Sequence, residues 1–177
     1  MKSKILIVFV VVLMIATLSV NALANSLPLN NKTTGELSDA IPNLFVPAAI
    51  TFSIWGLIYL LLLVFTVYQG IPFFKEKDEM DFMDRTRIYF IISSILNISW
   101  IIAWHYEYIV LSFIIMIGFL AVLILLYLNI DKNKKDFTFI EQICIGLPFS
   151  IYLGWITVAT IANTTALLVT IGWDRFG

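Results

Sequence analysis

The sequence predicts an all-α integral membrane protein, a five-transmembrane-helix bundle with a cytoplasmic N-terminus. Three observations carry this. The 177 residues are 60% apolar and 13% charged with a mean hydropathy of +0.95, which excludes a water-soluble globule. Five apolar stretches, at about 5–24, 48–69, 88–104, 109–130 and 139–163, each approach the roughly 20 residues a helix needs to cross a hydrocarbon core of about 30 Å. The cations fall on alternate connections: Lys2 and Lys4, then Lys75, Lys77, Arg85 and Arg87, then Lys132, Lys134 and Lys135, nine against Lys32 and Arg175 on the other side.

The first stretch opens on Lys2 and Lys4 and ends in Asn21-Ala22-Leu23-Ala24, so it also fits a cleavable secretory signal peptide. A retained helix is preferred, because the run is longer than a signal core and keeps the charge count consistent. Residues 25–47 form a polar extracytoplasmic loop. The second stretch carries Thr51, Trp55 and Tyr59 at intervals of four. A mixed-charge connection follows, in which Lys75-Glu76-Lys77-Asp78-Glu79-Met80-Asp81 reads as a solvated loop or helix start.

On the third stretch Ser93, Asn97, Trp100 and Trp104 recur at i, i+4, i+7 and i+11, one stripe of a helix. The short turn 105–108 leads to the fourth stretch. Its Ser112, Met116, Gly118 and Tyr127 stand among aliphatic and Phe side chains, so it is expected to face lipid most. On the fifth, Tyr152, Trp155, Ala159 and Asn163 again share one face. The apolar run continues to Trp173, about 52 Å at 1.5 Å per residue, too long for one straight crossing; a break is expected near Asn163-Thr164-Thr165, with 164–177 an apolar tail whose ending Asp174-Arg175-Phe176-Gly177 reads as truncated or divergent.

Function classes narrow quickly. Charge is balanced, 11 basic against 12 acidic residues, so nucleic acid finds nothing to hold. With one His and one Cys, neither a thiolate cluster nor a metal centre can be drawn. No Ser-His-Asp set lies at membrane depth and no glycine loop cradles phosphate, so an enzyme has little material. His105 could serve a metal porphyrin as axial ligand, but a lone His in an interfacial turn reads first as hydrated. Glu141 is expected to snorkel to the interface beside Lys134 and Lys135 and not to serve as a proton relay.

Polar groups within apolar spans must find partners inside the bundle. The stripes on the second, third and fifth helices therefore converge, and their rings, with room left by Ala159, suit a pocket for a flat, largely apolar ligand with a few polar substituents. Trp104, His105, Tyr106 and Tyr108 also fit an interfacial aromatic belt; Trp100 and Trp155 lie deeper and read as pocket lining.

Three motifs carry a family resemblance: Pro47 with Trp55-x-x-x-Tyr59, Leu96-Asn97-x-x-Trp100, and Tyr152-x-x-Trp155-x-x-x-Ala159-Thr160-x-x-Asn163. Together they are similar to the TspO/MBR family, the tryptophan-rich sensory proteins and translocator proteins or peripheral benzodiazepine receptors. The resemblance covers about 42–163. It implies a five-helix bundle with a cavity lidded by the loop between helices one and two, which binds porphyrins and other tetrapyrroles and, in animal relatives, sterols and benzodiazepine-type drugs. By motif position Trp55, Tyr59, Asn97, Trp100, Tyr152, Trp155, Ala159 and Asn163 are the ligand-binding candidates, and Trp104 joins them from its place on the stripe of the third stretch. The departures are Ala49 where the family has a second tryptophan, Trp104 and His105 where it has paired phenylalanines, and Ile151 where a proline precedes the tyrosine.

The expected function is thus a receptor or transport-type protein of the cell membrane. Porphyrin or haem is its candidate ligand, no cofactor is obligatory, and the bilayer, a tetrapyrrole or sterol-like molecule and a second copy of the chain are its candidate partners. A tetrapyrrole-degrading enzyme and a non-binding subunit of a larger transporter stay open as alternatives.

Overall fold

The computed structural model describes residues 2–27, 29–41, 45, 47–74 and 82–173. The charged run 75–81 and the ending 174–177 lie outside them. The described residues fold into helices with no strand: α1 (Lys2–Ser26), α2 (Thr34–Asp39), α3 (Ile54–Phe74), α4 (Met83–His105), α5 (Ile109–Asp131), α6 (Phe139–Glu141) and α7 (Leu147–Thr170). A short 3₁₀ turn, Ala49–Ser53, leads into α3, and a π turn, Gln142–Gly146, joins α6 to α7. Five spans are long and apolar enough to cross a membrane: Ser3–Ser26, Ile50–Ile71, Met83–His105, Ile109–Asp131 and Phe139–Thr170. The protein is a five-helix membrane bundle.

Each span buries one stripe. On α1 it is Ile7, Val10, Met14, Thr17, Asn21 and Ala24; on α5 it is Ser112, Met116, Phe119, Leu123, Leu126 and Ile130. Both follow the three-and-four spacing of a helix face, while the opposite faces expose Ile, Leu, Val and Phe to lipid. The helices pack in a ring in which α4 touches α1 and α5, α7 touches α5 and α3, and α3 returns to α1. In the middle Phe65, Phe90 and Phe149 meet edge-on or tilted, with centroids 4.8–6.2 Å apart.

Polar pairs define the two ends. At the N-terminal end Ser3 donates to Asp84 (3.0 Å), Arg87 donates to Asp84 (2.8 Å) and to the Gln69 side chain (3.1 Å), and Asn129 donates to Thr86 (3.0 Å). At the other end Asn30 donates to the His105 carbonyl (3.1 Å) and Lys32 pairs with Glu107 (2.7 Å). These contacts place the starts of α1 and α4 together with the end of α3, so successive spans alternate in direction.

Several expectations need correction. The second span, not the fourth, is the most lipid-facing: 22% of its most apolar stretch is buried against 33% for the fourth, because α5 is wedged between α4 and α7. No break occurs at Asn163-Thr164-Thr165. The hydroxyls of Thr160 and Thr164 donate to the carbonyls four residues back (2.7 Å each), Thr165 donates to the Ala162 carbonyl (2.9 Å), and Asn163 turns to α5, so the polar run is satisfied within a continuous helix to Thr170. Glu141, at the start of the last span, closes a capping box with Thr138 and accepts from the Tyr68 hydroxyl (3.1 Å). Arg87, counted above as a loop cation, is buried inside α4.

Candidate ligand site

The site is built where α3, α4 and α7 face one another beneath α2. On α4, Ser93, Asn97, Trp100 and Trp104 are all buried on one stripe. On α7, Tyr152, Trp155 and Asn163 are buried and Ala159 is half-buried. On α3, Trp55 and Tyr59 are half-buried. Thr51, one turn earlier, stays outside; its hydroxyl donates to the Ala48 carbonyl within the 3₁₀ turn.

The rings interlock. Trp55 stacks on Tyr59 at 5.3 Å and meets Tyr152 and Trp155 edge-on, each at 6.2 Å. Phe52 adds an edge contact to Trp155 at 6.0 Å, and Trp100 stacks on Trp104 at 6.1 Å. Six of the nine candidates, Trp55, Trp100, Trp104, Trp155, Ala159 and Asn163, surround one hollow; Tyr59 and Tyr152 pack behind Trp55, and Asn97 joins them through Tyr152. Asn97 is fully buried. It accepts from the Asn21 amide (2.7 Å) and donates to the Tyr152 hydroxyl (3.3 Å), so its role is to tie α1, α4 and α7 together. Asn163 exchanges hydrogen bonds with Ser112 of α5 (3.3–3.4 Å) while its flank lines the hollow.

That hollow is lined by Trp55, Trp100, Trp104, Trp155, Ala159 and Asn163, joined by Thr34, Ser38, Pro47, Phe52 and Ala162. Its volume is about 30 Å³, room for a water molecule and far below the roughly 300–1,000 Å³ of a ligand pocket. The aromatic walls have closed on themselves. Two of them keep an unusual feature: the indole N–H groups of Trp100 and Trp155 are buried with no hydrogen-bond partner. Most buried donors are paired, and an unpaired one costs about 1–3 kcal/mol.

The lid is α2. A capping box starts it: the Thr33 hydroxyl accepts from the Glu36 N–H (3.3 Å), and the Glu36 carboxylate accepts from the Thr33 N–H (2.7 Å) and hydroxyl (2.9 Å). Those two bonds, backbone first, hold the Glu36 carboxyl below its ordinary pKa. The Trp104 indole donates to the Thr34 carbonyl (3.4 Å), pinning the lid to α4. Trp104 and His105 therefore belong to the interior, and only Tyr106 and Tyr108 of the expected belt are exposed. His105 is buried with Nδ1 against the Ile101 carbonyl (2.7 Å) and does not line the hollow, so the hydrated-turn reading of it is overturned.

Sequence reasoning missed Asn21, Thr34, Ser38 and Phe52. Asn21 was legible as a lone amide one turn after Thr17 in an apolar run, and α2 was legible from Thr33-x-x-Glu36; Phe52 carries no signal apart from its neighbours. Among the described residues no group of three or more His, Cys, Asp or Glu could hold a metal ion.

The family model for TSPO-like protein matches residues 6–177, nearly the whole chain. The chain belongs to the TSPO-like family. Comparison with curated proteins and with solved structures gave no match. Membership of the TSPO-like family points to a membrane protein of ligand-binding or transport type, and in this TSPO-like protein the family motifs on α3, α4 and α7 meet at the closed hollow under α2.

Proposed function

We propose that this protein is a membrane receptor or transport-type protein that takes a flat tetrapyrrole, such as a porphyrin, between the aromatic walls of α3, α4 and α7. The observation that carries the reading is the pair of buried, unpartnered indole N–H groups, Trp100 and Trp155, in the walls of one hollow. Donors with no protein partner at the wall are stabilised by a guest that brings acceptors, and stacked indoles offer dispersion and quadrupole contact to a planar macrocycle. Because the hollow holds about 30 Å³, the guest must part the rings and lift α2, whose tether to α4 is one long hydrogen bond from Trp104 and whose flank is held by the exposed Lys32–Glu107 pair.

The test is saturable quenching of the tryptophans by protoporphyrin IX on the purified full chain. Trp155→Phe keeps a ring and removes the donor; it should weaken binding by about twofold to tenfold with unchanged folded yield, because no protein hydrogen bond is lost. Trp155→Ala removes the wall and should cost at least about thirtyfold. Quenching that does not saturate, or equal affinity in all three proteins, overturns the proposal.

A further inference from the structure

We propose that the Lys32–Glu107 pair is a placeholder for a carboxylate of the guest, so that the site selects tetrapyrroles bearing acidic side chains over neutral ones. This deepens the tetrapyrrole reading, on which it rests, by naming the residue that meets the ligand's charge. Lys32 closes on Glu107 at 2.7 Å, and both side chains are about half exposed, 43% and 50%. The pair stands at the rim of the aromatic hollow. Lys32 lies two residues before Thr34 and Glu107 three residues after Trp104, and Thr34 and Trp104 both line that hollow. Two residues of chain span at most about 7 Å, so the Lys32 backbone stays close to the hollow wherever its side chain points.

The distribution of charge leaves the guest one partner. No charged residue lines the hollow, so a carboxylate drawn into it would be buried without a counter-charge; it has to stay at the rim. Among the described residues at the lid end, 27, 29–41, 45, 47–53, 105–109 and 163–173, the charged ones are Lys32, Glu36, Asp39 and Glu107. Lys32 is the only cation of that set, against three carboxylates. An acidic guest therefore gains Lys32 only by displacing Glu107.

Glu107 is suited to that part. It stands just beyond α4 with φ 59°, in the left-handed region that favours glycine. Its N–H donates to the Trp104 carbonyl (3.0 Å) and the Tyr108 N–H to the Ala103 carbonyl (2.9 Å), the bonds of a Schellman ending in which this position is commonly glycine. A glutamate held where glycine would sit without strain points to a use for its carboxylate, and that carboxylate meets Lys32. The exchange is easy to start, because an exposed ion pair is weak and lifting α2 already draws Lys32 away from Glu107. Lys32 then closes over a carboxylate sheltered by the lid, where attraction exceeds that in open water. A neutral guest leaves Lys32 on Glu107.

The experiment titrates the purified full chain with protoporphyrin IX and with its dimethyl ester, which keeps the macrocycle and removes both charges. Tryptophan quenching should saturate with both, the diacid binding at least about tenfold more tightly, and the difference should shrink as salt rises. Lys32→Met, which keeps the aliphatic stem, should weaken the diacid at least about tenfold and leave the diester within about threefold. Lys32→Gln carries the same arm should Lys32→Met not fold. Glu107→Gln should tighten the diacid about twofold to fivefold, because Lys32 has lost its competitor. Equal affinity for the two probes in the wild type, or a diacid affinity that the Lys32 variants leave unchanged, overturns the exchange while the tetrapyrrole reading stands. A Glu107→Gln variant that binds the diacid no more tightly does the same. Saturation by neither probe overturns both.

Discussion

Asn97 shows how a single amide organises the interior. It sits in the middle of α4 with no exposure, accepts from Asn21 and donates to Tyr152, and so links three spans through one side chain. Within a membrane such bonds average well under what isolation in hydrocarbon would suggest, because the separated helices also find partners. Asn97→Ala removes two bonds and leaves both partners buried. It should destabilise the protein by about 1–3 kcal/mol, measured by unfolding in mixed micelles. Asn97→Asp keeps an acceptor for Asn21 and should recover part of that loss. The unpaired indoles of Trp100 and Trp155 make the contrast: replacing either by Phe loses ring volume but also removes a buried N–H without a partner, so the net loss should be smaller than that of Asn97→Ala.

At the scale of elements, the lid is the piece whose stability can be adjusted from solution. Six residues are too few for an independent helix, so α2 depends on its capping box and on the contact with Trp104. The Glu36 carboxyl is held below its ordinary value of 4.5, first by the Thr33 N–H and then by the Thr33 hydroxyl. A carboxyl with a lowered folded pKa contributes stability above its unfolded value and loses it as pH falls through the folded one. A spin label introduced by Asp39→Cys in a Cys144→Ser background should therefore report α2 becoming more mobile below about pH 4.5. Glu36→Gln should be more mobile at neutral pH, with that pH step absent. A step that persists in Glu36→Gln would assign the titration to another group. Both capping boxes, at Thr33 and Thr138, are visible in the sequence as a hydroxyl followed three residues later by Glu, whereas the Trp104 tether is not, since it joins positions 70 residues apart.

For the whole molecule, hydropathy was enough to find the five spans, because lipid imposes one strong condition on backbone and side chains alike. The 3.6-residue stripes on α4 and α7 also pointed inward as the spacing required: Asn97, Trp100, Tyr152 and Trp155 are all buried. What remained hidden was the content of the interior. Nothing in the spacing says that the rings close on about 30 Å³, or that a larger hollow opens beside α1, which lines it with Leu18, Asn21, Ala22 and Asn25. Cation counting misjudged Arg87 for a related reason, since burial by Gln69 and Asp84 depends on how α3 returns to α4 and not on position along the chain.

The π turn Gln142–Gly146 settles how two distant anchors are kept in phase. Its backbone closes from the Leu147 N–H to the Gln142 carbonyl, five residues apart, and so stores one residue more than an α-turn would. On one side Glu141 is fastened to Tyr68; on the other Tyr152 is fastened to Asn97. Each residue of an α-helix advances about 100°. Deleting Ile143 should therefore only tighten the loop to an ordinary turn, and the variant should retain wild-type folded yield and porphyrin quenching. Deleting Gly154 has no such reserve: Trp155, Ala159 and Asn163 would swing about 100° away from Tyr152, and quenching should vanish. That wide turn works as slack in a cable, letting the chain lose one link near the N-terminal end of the bundle while Tyr152 and Trp155 keep their places against Trp55.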